Sequence, residues 1–258
     1  MSASTPQTAV LVEPAAESGP GRRGSARGIA ATLCALVGVG LVGGAGISGW
    51  VEQRAAHSPL APDAAYRRAG SLWRATPVDT LFPPVLDGAE SGPGGADRTW
   101  TRVALAPDAD CGPALAPDWQ EALAATGCTR VLRATYTDAT RSSLVTVGMV
   151  FTPADAPAMA ALRGRLPAPP GYGFADSQRA AWTTSVPSEA PVVVYTVSAF
   201  TDGRTLDAPR PAADTMRKDA TGAVAQAGLG HAAKAVADRM ERAVRTLAAP
   251  PAPAGTAR

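Results

Sequence analysis

The feature that most constrains this chain is an apolar stretch near its start, from Gly28 to Val51, which contains no charged side chain. A helix of this length, rising about 1.5 Å per residue, reaches roughly 36 Å, enough for a hydrocarbon core of about 30 Å. Its many glycines disfavour a helix in water. In lipid, however, an unpaired backbone amide costs several kcal/mol, so the segment must satisfy its own hydrogen bonds. We therefore predict one transmembrane helix over residues 28–51.

Two other interpretations of this stretch are weaker. Gly38, Gly40 and Gly43 match the glycine spacing of a dinucleotide-binding turn. That motif needs a strand before it and an amphipathic helix after it, whereas here the apolar run continues to Trp50. A cleaved secretory signal would have an apolar core of about 7–15 residues, shorter than this one. We expect an uncleaved signal-anchor, with Trp50 at the membrane boundary.

Small residues recur at every fourth position of the span, at Gly40, Gly44 and Ser48. Such a ridge lets a second helix approach closely. These three residues are therefore candidates for a helix–helix contact, and a homodimer is one alternative. Glycine is common in membrane spans in any case, and we favour that simpler explanation.

The charges beside the span predict its orientation. Arg22, Arg23 and Arg27 lie directly before it, while the nearest basic residue on the other side is Arg54. Positively charged flanks stay on the cytoplasmic side. We expect a single-pass protein of the cell membrane whose N-terminal tail, residues 1–27, is cytoplasmic and disordered. The rest of the chain is then extracytoplasmic, and the lipid bilayer is its first partner.

The overall charge excludes one class of partner. The chain has 24 Lys and Arg against 22 Asp and Glu, with a formal net charge of +2. Affinity for nucleic acid comes mainly from basic surfaces that neutralise phosphates. We therefore expect no binding to nucleic acid.

Alternation of apolar and polar residues predicts the folded domain. We expect a stalk over residues 52–98, an α+β domain over 99–204, and a linker, an amphipathic helix and a Pro-rich tail over 205–258. Within the domain the strands are 100–105, 129–137, 144–151 and 192–200, with a weaker strand at 180–184, and helices begin at Pro117 and Thr152. The order β-α-β-β-α-β predicts a ferredoxin-like (split βαβ) domain, with helices on one face of an antiparallel sheet.

The C-terminal helix, from His231 to Ala248, has a narrow apolar stripe. The stripe consists of Ala233, Val236, Met240, Val244 and Leu247. We expect it to dock on the domain; pairing with a second copy and lying on the membrane are the alternatives.

Two of the three cysteines lie beyond the span. Cys34 is within it, where a thiol serves as an apolar filler. Cys111 follows the first predicted strand and Cys128 opens the second, and the extracytoplasmic compartment permits oxidation. We predict a Cys111–Cys128 disulfide. Zinc is not expected, because no further cysteine or histidine nearby completes a tetrahedral set.

The search for a catalytic group leaves only carboxylates. The two histidines, His57 and His231, lie outside the predicted domain, and we find no nucleophile elbow or phosphate-binding loop. The acidic candidates are Asp138, Asp155, Asp176, Glu189 and Asp202. Turns and helix starts account for such residues without chemistry. We therefore expect no catalytic, metal-binding or cofactor-binding residues and no cofactor.

Several short segments resemble a known group of proteins. They are Leu81-Phe-Pro-Pro84, Trp100-Thr-Arg102, Gly127 to Asp138, Val145-Thr-Val-Gly148 and Thr201-Asp-Gly-Arg204. Over roughly residues 70–205 the chain is similar to uncharacterised single-pass membrane proteins of high-GC Gram-positive bacteria. The resemblance implies a membrane location and a small extracytoplasmic domain, and it carries no activity or site residues.

These observations together predict a membrane-anchored, non-enzymatic binding or accessory module of the cell envelope, with an envelope protein as partner. The alternatives are an extracytoplasmic enzyme that uses carboxylates alone and a single-pass ligand sensor. A cleft that brings Asp138, Asp176 or Glu189 together would favour the enzyme.

Overall fold

The structure of the protein is a computed structural model that describes residues 61–249. Its strands are β1 (Val85–Gly88), β2 (Arg98–Leu105), β3 (Arg130–Asp138), β4 (Ser143–Phe151), β5 (Ala181–Ser185), β6 (Val192–Phe200) and β7 (Arg210–Pro211). Its helices are α1 (Pro62–Ala69), α2 (Leu72–Ala75), α3 (Val78–Leu81), α4 (Cys111–Ala114), α5 (Pro117–Ala122), α6 (Ala156–Ala160), α7 (Ala212–Thr215), α8 (Ala223–Gln226) and α9 (Leu229–Ala248). Pro93–Gly95 and Asp176–Gln178 form 3₁₀ turns.

The strands form one sheet in the order β1-β2-β3-β4-β6-β5-β7. Neighbouring strands are antiparallel except β5 and β7, which are parallel. The middle strands β4 and β6 are buried almost throughout. Strands covered on both faces become continuous runs of β-branched and apolar residues, which explains Val192-Val-Val-Tyr195 at the start of β6.

One face of the sheet, the helix face, is covered mainly by α9. This helix packs on β6, β5 and β4, and its buried residues include Val236, Met240 and Val244. The short helices α1 and α3 extend the cover toward β1. The C-terminal helix therefore docks on the domain, as expected from its stripe.

The opposite face, the loop face, is covered by shorter elements. Helices α4, α5 and α6 and the segment that follows them supply its buried apolar side chains, which include Trp119, Leu123, Met159, Leu162 and Leu166. No element here is longer than six residues. Short helices and irregular segments therefore bury this face of the sheet, whereas one long helix buries most of the other.

The prediction of a ferredoxin-like domain is wrong. A split βαβ unit needs a helical crossover between its first two strands, but β2 and β3 are antiparallel neighbours. The connection between them holds only the four-residue α4 and the six-residue α5. Its two ends, Cys111 and Cys128, are joined, with their Cα atoms 6.1 Å apart. The connection therefore turns back on itself, and helices cover both faces of a seven-stranded sheet.

The described part of the predicted stalk belongs to the domain. Strand β1 pairs with β2, placing Leu86 beside Trp100, and both are about 1% exposed. Leu81 and Phe82 are also fully buried. Residues that were predicted to form a stalk therefore fill part of the core.

Within residues 61–249, no helix is both long and apolar enough to cross a membrane. The predicted transmembrane helix over 28–51, with Gly40, Gly44 and Ser48, lies outside the described residues and stays a prediction.

Candidate functional site

The predicted disulfide is present. Cys111 opens α4 and Cys128 lies just before β3, with 17 residues of separation and a Cα–Cα distance of 6.1 Å. Both cysteines pack against the apolar cluster of the loop face. A disulfide persists in oxidising compartments, so this bond is compatible with an extracellular location. It joins the two ends of the connection between β2 and β3 on the loop face.

Among the described residues, no group of three or more His, Cys, Asp and Glu side chains is placed to hold a metal ion. His231 lies at the start of α9, where burial and the nearby Arg98 lower its pKa. In the part of the chain that the structure covers, no ion pair joins His231 to an acid. His57 lies outside the described residues.

Asp138 is a structural residue of the β3–β4 turn. Its carboxylate accepts hydrogen bonds from the backbone N–H groups of Ser142 (2.8 Å) and Ser143 (2.9 Å) and from the hydroxyl groups of Thr140 and Ser142. Burial alone would raise the pKa of Asp138, but these hydrogen bonds outweigh it and hold the pKa below its ordinary value. The side chain is fully occupied in closing the turn.

Asp202 and Asp176 are each paired with an arginine close by in sequence. The Arg204 guanidinium contacts Asp202 and lowers the pKa of that exposed carboxyl. Asp176 lies 3.4 Å from Arg179. Asp202 and Glu189 line different cavities, and neither Asp138 nor Asp176 lines either of these two.

Asp155 and Glu189 do meet, in a cavity that we call the terminal cleft. The cleft has a volume of about 720 Å³ and lies between α1, the start of α6 and the end of α9. Its apolar walls include Pro62, Ala65, Pro153, Ala154, Pro157 and Ala248. Asp155 caps α6 through the Ala158 N–H (3.0 Å), and Glu189 lies 3.4 Å from Arg245. Both acids therefore have structural partners on the rim.

Tyr66 contributes a polar group to this apolar cleft. Its hydroxyl is buried and has no hydrogen-bond partner in residues 61–249. Burial raises the pKa of Tyr66, and the carboxylate of Asp155 raises it further. An apolar cavity with a few convergent polar groups is the usual form of a binding site.

The sequence did not indicate the terminal cleft. Its walls come from four segments that are distant in sequence, 62–67, 153–157, 188–189 and 245–249. The one available signal was proline within the first two positions of both α1 (Pro62) and α6 (Pro157), with the small residues Ala65 and Ala154 three positions away. Such residues leave space between elements that meet end to end.

A second cavity, of about 740 Å³, lies beside β7 and is lined by residues of α7 and α8. Its charged residues include Asp207, Arg210, Asp214 and Arg217. Their signs are mixed, and Arg217 pairs with Asp219 at 3.0 Å. Because its lining has no large excess of one sign of charge, this cavity is a weaker candidate for a binding site than the terminal cleft.

Comparison of the chain with protein-family models, with curated proteins and with solved structures finds no match. The function is therefore argued from the geometry of the residues themselves.

Proposed function

We propose that the protein is a membrane-anchored, non-enzymatic binding module of the cell envelope, whose domain holds a segment of an envelope protein in the terminal cleft. The observation that carries this proposal is the cleft itself, an apolar cavity of about 720 Å³ beside both ends of the described chain. Pro62 lines it at the N-terminal end and Ala249 at the C-terminal end.

The predicted membrane anchor favours a partner in the cell envelope. In the sequence the predicted span ends at Val51, and the first residue that lines the cleft is Pro62. The Cys111–Cys128 disulfide supports the extracytoplasmic side.

The walls of the cleft favour a protein segment as ligand. Small residues such as Ala65, Ala154 and Ala248 leave room for apolar side chains of a partner. The rim carries both signs of charge, since Asp63 and Asp155 are acidic and Arg67 and Arg245 are basic. A mixed rim around an apolar centre is the arrangement of protein–protein interfaces.

Site-specific crosslinking in intact cells tests this proposal. A photoreactive residue is placed at Pro157, which is exposed on the cleft wall, and a control is placed at Ala139, exposed in the β3–β4 turn. The length of β4 separates the two positions. We expect one protein adduct from position 157, none from position 139, and loss of the adduct when Ala154→Trp fills the cleft. Identical adducts from both positions, or an adduct that survives Ala154→Trp, would contradict the proposal.

An extracytoplasmic enzyme that uses carboxylates is the second candidate, because Asp155 and Glu189 line the same cleft. The Glu189→Gln variant separates the two functions. Loss of one rim charge costs a docking surface at most about 1 kcal/mol, so the adduct from position 157 should persist. If the variant keeps the adduct but fails to complement a deletion strain, the enzyme hypothesis replaces the binding one.

A further inference from the structure

A short irregular segment on the loop face covers a set of buried polar side chains. This segment, residues 167–173, is called the strap. Gly164, three residues before the strap, and Gly173, its last residue, both have positive φ (71° and 88°). Under it lie Arg133 and Thr135 of β3, Thr146 of β4 and Tyr195 of β6, which we call the strap site.

The sheet register brings these side chains to one place. Arg133 pairs with Gly148, and Gly148 pairs with Tyr195 on the next strand. The Tyr195 ring lies across Gly148, where a Cβ atom would be 2.1 Å from ring carbon Cζ and 2.4 Å from the hydroxyl oxygen. The absent side chain at Gly148 therefore lets the phenol extend from β6 toward Arg133 on β3.

Two of these groups have unused hydrogen-bonding atoms. Tyr195 is fully buried, and its hydroxyl has no partner in residues 61–249. Arg133 Nε is buried and likewise without a partner in that range. None of the ion pairs in the described chain includes Arg133. Leaving such groups unpaired costs free energy, so their presence calls for an explanation.

The two threonines show what kind of atom the strap site holds. The hydroxyls of Thr135 (2.5 Å) and Thr146 (2.8 Å) both donate to the backbone carbonyl oxygen of Tyr172 in the strap. The Tyr172 ring lies against the Arg133 guanidinium, 5.0 Å from Cζ to the ring centre. One oxygen of the chain itself thus accepts hydrogen bonds from both threonine hydroxyls, next to the two groups that have no partner in residues 61–249.

We propose that the strap site binds a carboxylate, with the Tyr172 carbonyl oxygen occupying the place of one ligand oxygen when the strap is closed. Arg133 Nε–H and the hydroxyls of Tyr195, Thr135 and Thr146 are four donors, which suit the two oxygens of one carboxylate. The strap opens by rotation at Gly164 and Gly173 to admit the ligand. This site is separate from the terminal cleft and does not depend on the proposed function.

The closed strap is held by groups outside the strap site. Trp119 Nε1 donates to the Ala168 carbonyl (3.2 Å), and Arg179 Nη1 donates to the carbonyls of Ala168 (3.3 Å) and Pro169 (2.9 Å). Because closed strap and ligand compete, weakening these bonds should raise the affinity for the ligand. Arg179→Gln is therefore expected to bind more tightly, while a variant of the strap site binds more weakly.

The test follows the indole N–H signal of Trp119 by NMR in the full-length protein. The signal is assigned by its absence from the spectrum of the Trp119→Phe variant. The probes are acetate, N-acetyl-alanyl-alanine and its C-terminal amide. We expect a saturable shift with a carboxylate probe and none with the amide. A tighter constant for the peptide acid identifies a peptide C-terminus as the natural ligand, and equal constants identify a small free carboxylate.

Two variants show whether a change in the Trp119 signal reports carboxylate binding at the strap site or an unspecific effect of the probe on the protein. Tyr195→Phe keeps the ring and should weaken carboxylate binding at least tenfold, whereas Arg179→Gln should strengthen it roughly fivefold. Thermal unfolding checks that both variants fold. The proposal is overturned if acid and amide act alike, if no probe shifts the signal, or if the two variants change affinity in the same direction.

Discussion

The two faces of the sheet achieve the same burial by different means. The helix face relies on α9, whose 20 residues place a regular apolar stripe along β4, β5 and β6. The loop face relies on short helices, a disulfide and hydrogen bonds from side chains to carbonyl groups. A helix of this length forms its own backbone bonds, so its side chains are free to pack. Irregular chain lacks this regular bonding, so a disulfide and side-chain hydrogen bonds hold it in place on the loop face.

The largest difference between the faces should appear when apolar contact is removed from α9. Met240 is about 1% exposed in the centre of the helix-face core. Met240→Ala leaves a cavity and should lower the free energy of unfolding by about 2–5 kcal/mol. Urea unfolding measures this change. Lys234→Ala, which removes only an exposed pair with Asp238, is the control and should cost no more than about 0.5 kcal/mol.

Removal of the disulfide probes the loop face in the same way. The Cys111→Ser and Cys128→Ser double variant frees a connection of 17 residues. Chain entropy predicts a loss of about 3 kcal/mol. Reduction of the unaltered protein with dithiothreitol should give the same loss. A double variant as stable as the oxidised protein would mean that packing of Trp119 and Leu123 alone holds this face together.

The sequence predicted the regular part of the molecule better than the irregular part. Strand β3 and helix α9 were expected from their periodicity, and β4 and β6 from their runs of β-branched and apolar residues. Strand β1 was missed because its four residues are too few to show alternation. The cysteine pair was found because cysteine oxidation depends on residue type and compartment and needs no periodicity.

The candidate sites were beyond prediction for a related reason. The terminal cleft and the strap site each combine segments more than 50 residues apart, such as Tyr66 with Ala248 and Arg133 with Tyr195. The proximity of Arg133 and Tyr195 follows from the strand order, which the split βαβ prediction had wrong. The sequence pattern of β3 and β4 does not mark Thr135 and Thr146 as residues whose hydroxyls donate to one carbonyl oxygen.

The Asp138 carboxyl, which holds the β3–β4 turn by hydrogen bonds, titrates at acid pH, whereas the apolar side chains of α9 do not titrate. Asp138 has a pKa below the ordinary value of 3.8, since its hydrogen bonds favour the charged form more than burial opposes it. A depressed folded pKa contributes stability above the unfolded pKa that is lost as pH falls through the folded one. Asp138→Asn should therefore cost about 1.5 kcal/mol at pH 7. The difference from the unaltered protein should shrink below about pH 4. Urea unfolding at several pH values checks this, with Met240→Ala as the pH-independent reference.

The smallest expected effect is a gain in stability, and it separates the two faces most sharply. On the helix face, buried Thr196 donates its hydroxyl to the Ala233 carbonyl at 2.8 Å, so Thr196→Val should destabilise by about 1 kcal/mol. On the loop face, the buried Tyr195 hydroxyl has no partner in residues 61–249. Without ligand, Tyr195→Phe removes an unpaired polar group and should stabilise by about 1 kcal/mol. The ring stays in place against Trp119, at a centroid distance of 5.1 Å.

Thermal unfolding with and without a carboxylate probe should show the gain in stability of Tyr195→Phe only without the probe, because the bound ligand restores a partner to the hydroxyl of the unaltered protein. If Tyr195→Phe destabilises the unliganded protein as Thr196→Val does, the hydroxyl already has a partner, and the strap site serves packing alone.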